Sequence, residues 1–187
     1  RAAVFATLHG PATRVLMELL EASGLCAFVG KVNMDRNSPD ILREESAEAS
    51  ARATVEWLEQ TAGKYRRVKP ILTPRFIPSC SDELMERLAG IQRTFGLPVQ
   101  SHLSENQGEV EWVRELCPSA SCYGDAYASF GLFGGGVPTI MAHCVHSGPE
   151  ETALLQARGV WVAHCPESNA NIASGIAPVR AFLDGGL

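Results

Sequence analysis

Short apolar, β-branched runs alternate along the chain with stretches whose apolar residues recur at helical spacing. Strands are predicted at residues 2–8, 26–32, 68–72, 99–102, 139–143 and 160–164. Residues 14–22 place Val15, Leu16, Leu19 and Leu20 on one helical face and stop at Gly24. Residues 40–61 read as one long charged helix with Ala47, Ala51, Val55 and Leu58 on its apolar stripe. Ser81 is placed to cap the next helix, with Asp82 and Glu83 in its first turn, Leu84, Leu88 and Ile91 inward, and Gly96 and Pro98 at its end. Residues 107–116 form a further helix closed by Pro118. Ser147 with Glu150 matches a capping box for a helix ending near Gly159, and residues 178–183 form the last helix. Residues 119–137, rich in Gly, Ser and Tyr, read as the one long and mobile loop.

Strand and helix thus alternate six times with no hairpin signal between strands. Such repeats build a parallel sheet, either a barrel or a doubly wound sheet. Polar residues recur where the strands end: Arg75 after the third, His102 at the fourth, His143 at the fifth and His164 at the sixth. A (β/α)8 barrel gathers such strand ends on one face, whereas a doubly wound sheet concentrates polar groups at one crevice, so the pattern favours the barrel. Six units are two short of closure, and the chain starts on Arg1-Ala2-Ala3 without Met. It therefore reads as an internal piece of a longer chain: residues 1–187 as one partial barrel domain lacking the first and last strands.

Composition narrows the function classes. The 187 residues carry 16 Lys plus Arg against 21 Asp plus Glu, a net charge of −5. No basic stretch is present to neutralise phosphates, which argues against nucleic-acid partners. No apolar run reaches the roughly 18–20 residues of a membrane span. The six cysteines contain no CxxC pair and read as free thiols in a reducing, cytoplasmic setting.

His102-Leu103-Ser104-Glu105 is the most informative tetrapeptide. A His leaving a strand and a carboxylate three residues on can face one cavity, the His binding a divalent metal and the Glu moving a proton. A buried structural His beside a solvated Glu is the alternative. His143 and His164 end neighbouring strands and should meet the same rim, unless each serves as a core His bonded to backbone. His164 enters Cys165-Pro166 and can serve that turn instead. His146 reads as a surface loop residue, and His9 ends the first strand. Arg75 and Phe76 lie between Pro74 and Pro78, where a pinned guanidinium beside an aromatic ring suits a flat polar heterocycle or a structural ion pair. Cys144 follows His143 and Cys165 follows His164, and adjacent strand residues face opposite ways, so neither makes a nucleophile–base pair. Gly134-Gly135-Gly136 lacks the Lys of a phosphate loop and reads as a flexible connection.

Five ordered segments carry a family resemblance: Phe28 to Asp35, Val68 to Phe76, Gln100 to Asn106, Met141-Ala142-His143, and Ala163 to Asn169. Together they resemble the guanine deaminases of the amidohydrolase superfamily, metal-dependent (β/α)8 barrels. The resemblance implies hydrolysis of guanine to xanthine and ammonia with one zinc ion, by a parent enzyme that is a cytoplasmic homodimer. It implies His102 as a metal ligand, Glu105 as the proton-shuttling carboxylate and His143 as the group polarising the attacking water. Arg75 and Phe76 then bind and stack on the purine, with Ser168 and Asn169 in a supporting motif. Alternatives are another aminated heterocycle as substrate, or a truncated, non-catalytic product. The family's first-strand His-x-His pair has no counterpart here. Its final Asp is not matched by Asp184, which precedes Gly185-Gly186 in a helix-to-strand turn. One ligand of the usual set is supplied, so this segment alone is expected to be inactive.

Overall fold

The computed structural model describes residues 1–187. Its strands are β1 (Ala2–Phe5), β2 (Ala27–Gly30), β3 (Val32–Asn33), β4 (Val68–Pro70), β5 (Thr73–Pro74), β6 (Val99–Leu103), β7 (Thr139–His143) and β8 (Trp161–Ala163). Its helices are α1 (Gly10–Ser23), α2 (Ala47–Thr61), α3 (Asp82–Phe95), α4 (Gln107–Leu116), α5 (Tyr123–Ser129), α6 (Pro149–Arg158), α7 (Pro166–Asn171) and α8 (Val179–Asp184). The strands pair as β1-β2-β4, β3-β5 and β6-β7-β8. β1–β2, β2–β4, β3–β5 and β7–β8 are all parallel, as the alternation of strand and helix requires. Two compact units result, Arg1–Arg75 with Ser79–Gln100, and Phe76–Pro78 with Ser101–Leu187. No helix is long and apolar enough to cross a membrane.

In the first unit, the strand predicted at 26–32 forms as β2 and β3, and that predicted at 68–72 forms as β4, with β5 beyond its predicted end. The register is kept across the break, Ala27 opposite Val68 and Val32 opposite Thr73. Pro70 has no N–H to donate. Leu72 turns instead to the next segment, its N–H donating to Pro98 O at 2.9 Å and its carbonyl accepting from Gln100 N at 2.9 Å. Val29, Ile71, Leu72 and Val99 are buried here, as are Leu84, Met85 and Leu88 of α3. A polar cluster is built into the same region: Gln100 Nε2 donates to Val4 O and Thr73 Oγ1, each at 3.0 Å. Gly30 leaves room for it, since a Cβ there would lie 1.7 Å from Thr73 Oγ1.

The long helix predicted over residues 40–61 is not formed. Asp40–Leu42 makes a single 3-10 turn, and α2 starts only at Ala47, where Ser46 Oγ accepts from Ala49 N at 3.1 Å. Glu44 explains the interruption. Its carboxylate turns inward, bonding the buried Lys31 Nζ at 2.6 Å, Ser50 Oγ at 2.5 Å and Met34 N at 3.2 Å. Burial pushes the Lys31 amine below its usual pKa, and Glu44 opposes that shift. The pair ties the segment after β2 to the start of α2.

In the second unit, the predicted mobile loop 119–137 instead holds a helix and a buried row of aromatic rings. Residues 123–129 form α5, and Tyr123, Tyr127 and Phe133 stack in series with ring centroids 5.6 and 6.3 Å apart. Packing of aromatic rings overrides the turn-like composition. Within the glycine run, Gly134 has φ +60°, and a Cβ there would lie 2.3 Å from Arg158 O. The run is therefore an anchored turn, with Gly135 N donating to Arg158 O at 2.8 Å. The capping box expected at Ser147 is absent: α6 starts at Pro149 with Gly148 as its N-cap, and Ser147 Oγ bonds Glu151 at 2.6 Å. Asp184 ends α8 and pairs with Arg180 at 3.0 Å.

Two stability predictions follow from the first unit. Gly30→Ala should lower unfolding free energy by about 1–3 kcal/mol, read by urea denaturation, because Thr73 and Gln100 must shift. Lys31→Met alone should cost about 3–5 kcal/mol by leaving the Glu44 charge buried, whereas Lys31→Met combined with Glu44→Gln should recover most of that loss.

Candidate active site

β6 and β7 are neighbours in one sheet, and their C-terminal ends lie together: Cys144 N donates to Leu103 O at 2.8 Å. The last side chains of the two strands are consequently adjacent. The imidazoles of His102 and His143 stack with centroids 5.3 Å apart and planes 19° from parallel. Just past β6, Glu105 Oε1 lies 3.3 Å from His143 Nδ1. From α7, Asn169 Oδ1 reaches the same nitrogen at 2.8 Å. His102, Glu105 and His143, named from the sequence, are thus brought together.

The backbone at these strand exits is unusual. Ser104, His143 and Cys144 have φ of +47°, +75° and +51°. Left-handed conformations cost non-glycine residues free energy and persist only where the surroundings hold them. Here Glu151 does much of the holding. This residue is 3% exposed. Its carboxylate accepts from Ser104 Oγ at 2.7 Å, Ser147 Oγ at 2.6 Å and Gly124 N at 2.8 Å. The Ser104 carbonyl accepts from His146 N at 2.9 Å, which ties the two exits to each other. Tyr127, fully buried, donates to His102 O at 2.9 Å and lies 2.7 Å from Ser101 Oγ. Sequence reading missed Glu151 and Tyr127, because their partners lie far away along the chain and no local motif marks them.

The remaining expected residues fall as follows. Phe76 belongs to the second unit and packs edge-to-face on Trp112, centroids 6.5 Å apart. Arg75 belongs to the first unit. Its N–H donates to Asn33 O at 3.1 Å, and its Nη1 is 3.8 Å from Met34 Sδ. His164 is exposed just beyond β8 and does not join His102 and His143. His9 is the exposed N-cap of α1. His146 is exposed, and its Nε2 lies 2.9 Å from Ser174 O. Cys144 is buried, and burial, with the Glu151 carboxylate beside it, pushes its thiol well above the usual range, which removes it as a nucleophile.

Chemically, the cluster pairs an acceptor carboxylate with an imidazole, the elements of proton transfer at one small locus. A complete metal centre is not formed by this chain's residues: no group of three or more His, Cys, Asp or Glu side chains converges to hold an ion. One prediction tests the support of the cluster. Glu151→Ala should leave Ser104, Ser147 and Gly124 without their acceptor and lower unfolding free energy by at least about 2 kcal/mol in a urea titration.

The sequence model of the amidohydrolase family matches residues 2–187. The chain is 41% identical over 190 residues to the probable guanine deaminase of Schizosaccharomyces pombe, covering 100% of this chain and 36% of that protein. It is 42% identical over 181 residues to the guanine deaminase of Dictyostelium discoideum, covering 96% of this chain and 40% of that protein. The chain therefore spans about two-fifths of the length of these curated relatives. Among solved structures, guanine deaminase from C. acetobutylicum with bound guanine in the active site superposes with a TM-score of 0.94 at 49% identity, over 99% of this chain and 44% of that one. Parallel βα order, polar strand ends and a match along nearly every residue agree, and the chain belongs to the amidohydrolase family.

Proposed function

We propose that the full-length protein hydrolyses guanine to xanthine and ammonia. The observation that carries this reading is the convergence of His102, Glu105 and His143 at two adjacent strand ends. The identity to guanine deaminases along the whole chain supports the choice of substrate. In this reading residues 1–187 are part of one barrel domain, and the protein is a cytoplasmic homodimer. The family resemblance supports the dimer, and cysteines that form no disulfide fit a reducing compartment.

Roles follow from the chemistry of each group. Deamination adds water across the ring C=N bond at the aminated carbon and expels ammonia, so one water proton must reach the ring nitrogen and the other, from the added hydroxyl, the departing amine. Glu105, a carboxylate facing His143, is suited to take each of these protons in turn and pass it on. His143 orients and polarises the attacking oxygen. Arg75 is suited to bond the purine's ring acceptors through its fork, and Phe76 to stack on its face. His102 supplies one nitrogen donor to a zinc ion whose other ligands come from outside this chain. Zinc, when bound, supplies Lewis-acid activation of water.

The test is a xanthine assay on the full-length protein. Guanine should be turned over in preference to other aminated purines, pterins and triazines; faster turnover of one of those would reassign the substrate. Glu105→Gln should lower kcat by about 10²–10⁴-fold. Zinc content, measured by atomic emission, should be unchanged in that variant and reduced in His102→Ala.

A further inference from the structure

Asn169 sits in α7, far along the chain from both strand exits, and is 1% exposed. Its backbone is locked, with N–H donating to Cys165 O at 2.9 Å and the carbonyl accepting from Ser174 N at 2.8 Å. Its amide oxygen lies 2.8 Å from His143 Nδ1, closer than the 3.3 Å of Glu105 Oε1. The carboxylate of Glu105 can only accept. Asn169 Oδ1 and the Glu105 carboxylate both face Nδ1 as acceptors, so Nδ1 is the nitrogen that carries the hydrogen, and Nε2 is left to face the reacting water. Asn169 Nδ2 is buried without a hydrogen-bond partner. The contact to His143 is therefore the polar bond that this buried side chain makes.

We propose that Asn169 is the positioning residue for His143, holding the imidazole as its Nδ1–H tautomer with a neutral acceptor. Glu105 is thereby spared that task. If the carboxylate were the main acceptor, charge attraction would bind it to the ring and hold the pair together. An amide oxygen supplies direction without charge, which leaves Glu105 for proton transfer and aims the Nε2 lone pair at the reacting water. The consequence for turnover rests on the deaminase reading; the tautomer does not.

The experiment uses full-length protein labelled with 15N-histidine, studied metal-free and zinc-loaded. Long-range 1H–15N correlation distinguishes the two tautomers, and His143→Gln assigns the signal. The wild-type ring should be Nδ1–H in both states. Asn169→Leu should move the Nδ1–H proton signal downfield, as the charged Glu105 becomes its acceptor, and lower kcat by about 10–100-fold, with the KM for guanine unchanged. Asn169→Asp keeps an acceptor in place and should keep Nδ1 protonated, which preserves the test if the Leu variant fails to fold. A wild-type ring protonated at Nε2 alone overturns the proposal. So does an Asn169→Leu variant that keeps either the wild-type Nδ1–H signal or full kcat. Absence of guanine turnover by the wild type would sink the substrate reading and leave the tautomer result to judge Asn169.

Discussion

The adjacency of β6 and β7, with their C-terminal ends together, is the constraint on which the candidate site depends. Neighbouring strands bring their final residues within side-chain reach, however far apart those residues lie in sequence. His102 and His143 meet for that reason. Glu105 joins them because it leaves β6 one short turn later.

Sheet pairing alone would not hold the groups in register, because both strands end in backbone that non-glycine residues resist. The cost is offset by bonds from elsewhere in the same unit. Glu151 gathers three donors from three separate segments, and Tyr127 fixes the carbonyl of His102 from beneath. Fully satisfied buried carboxylates of this kind rigidify their surroundings, because every alternative arrangement leaves a polar group without a partner. The first unit uses the same device at Lys31 and Glu44, where a buried ion pair anchors the segment leading from β2 to α2.

Much of this was legible in the chain. The alternation of strand and helix, Ser81 as a cap, Gly24 and Gly96 as helix ends, and the His102–Glu105 pair are all local patterns. They are readable because periodicity, capping and turn preference depend on neighbours in sequence. Reading failed where distant contacts won. Residues 40–61 have helical spacing throughout, yet Glu44 is drawn inward to Lys31 and the helix starts later. Residues 119–137 have turn-like composition, yet Tyr123, Tyr127 and Phe133 within them stack and are buried.

The sequence by itself determined the parallel βα architecture and the identity of the polar residues at strand ends, because both follow from periodicities of a few residues. Only the tertiary structure decided which of those polar residues meet. His164 carries the same signal as His143 and stays exposed. Asn169 carries almost none and becomes the imidazole's nearest partner. The difference is physical: a hydrogen bond between residues 26 positions apart is set by how the intervening elements pack, and no local pattern encodes that packing.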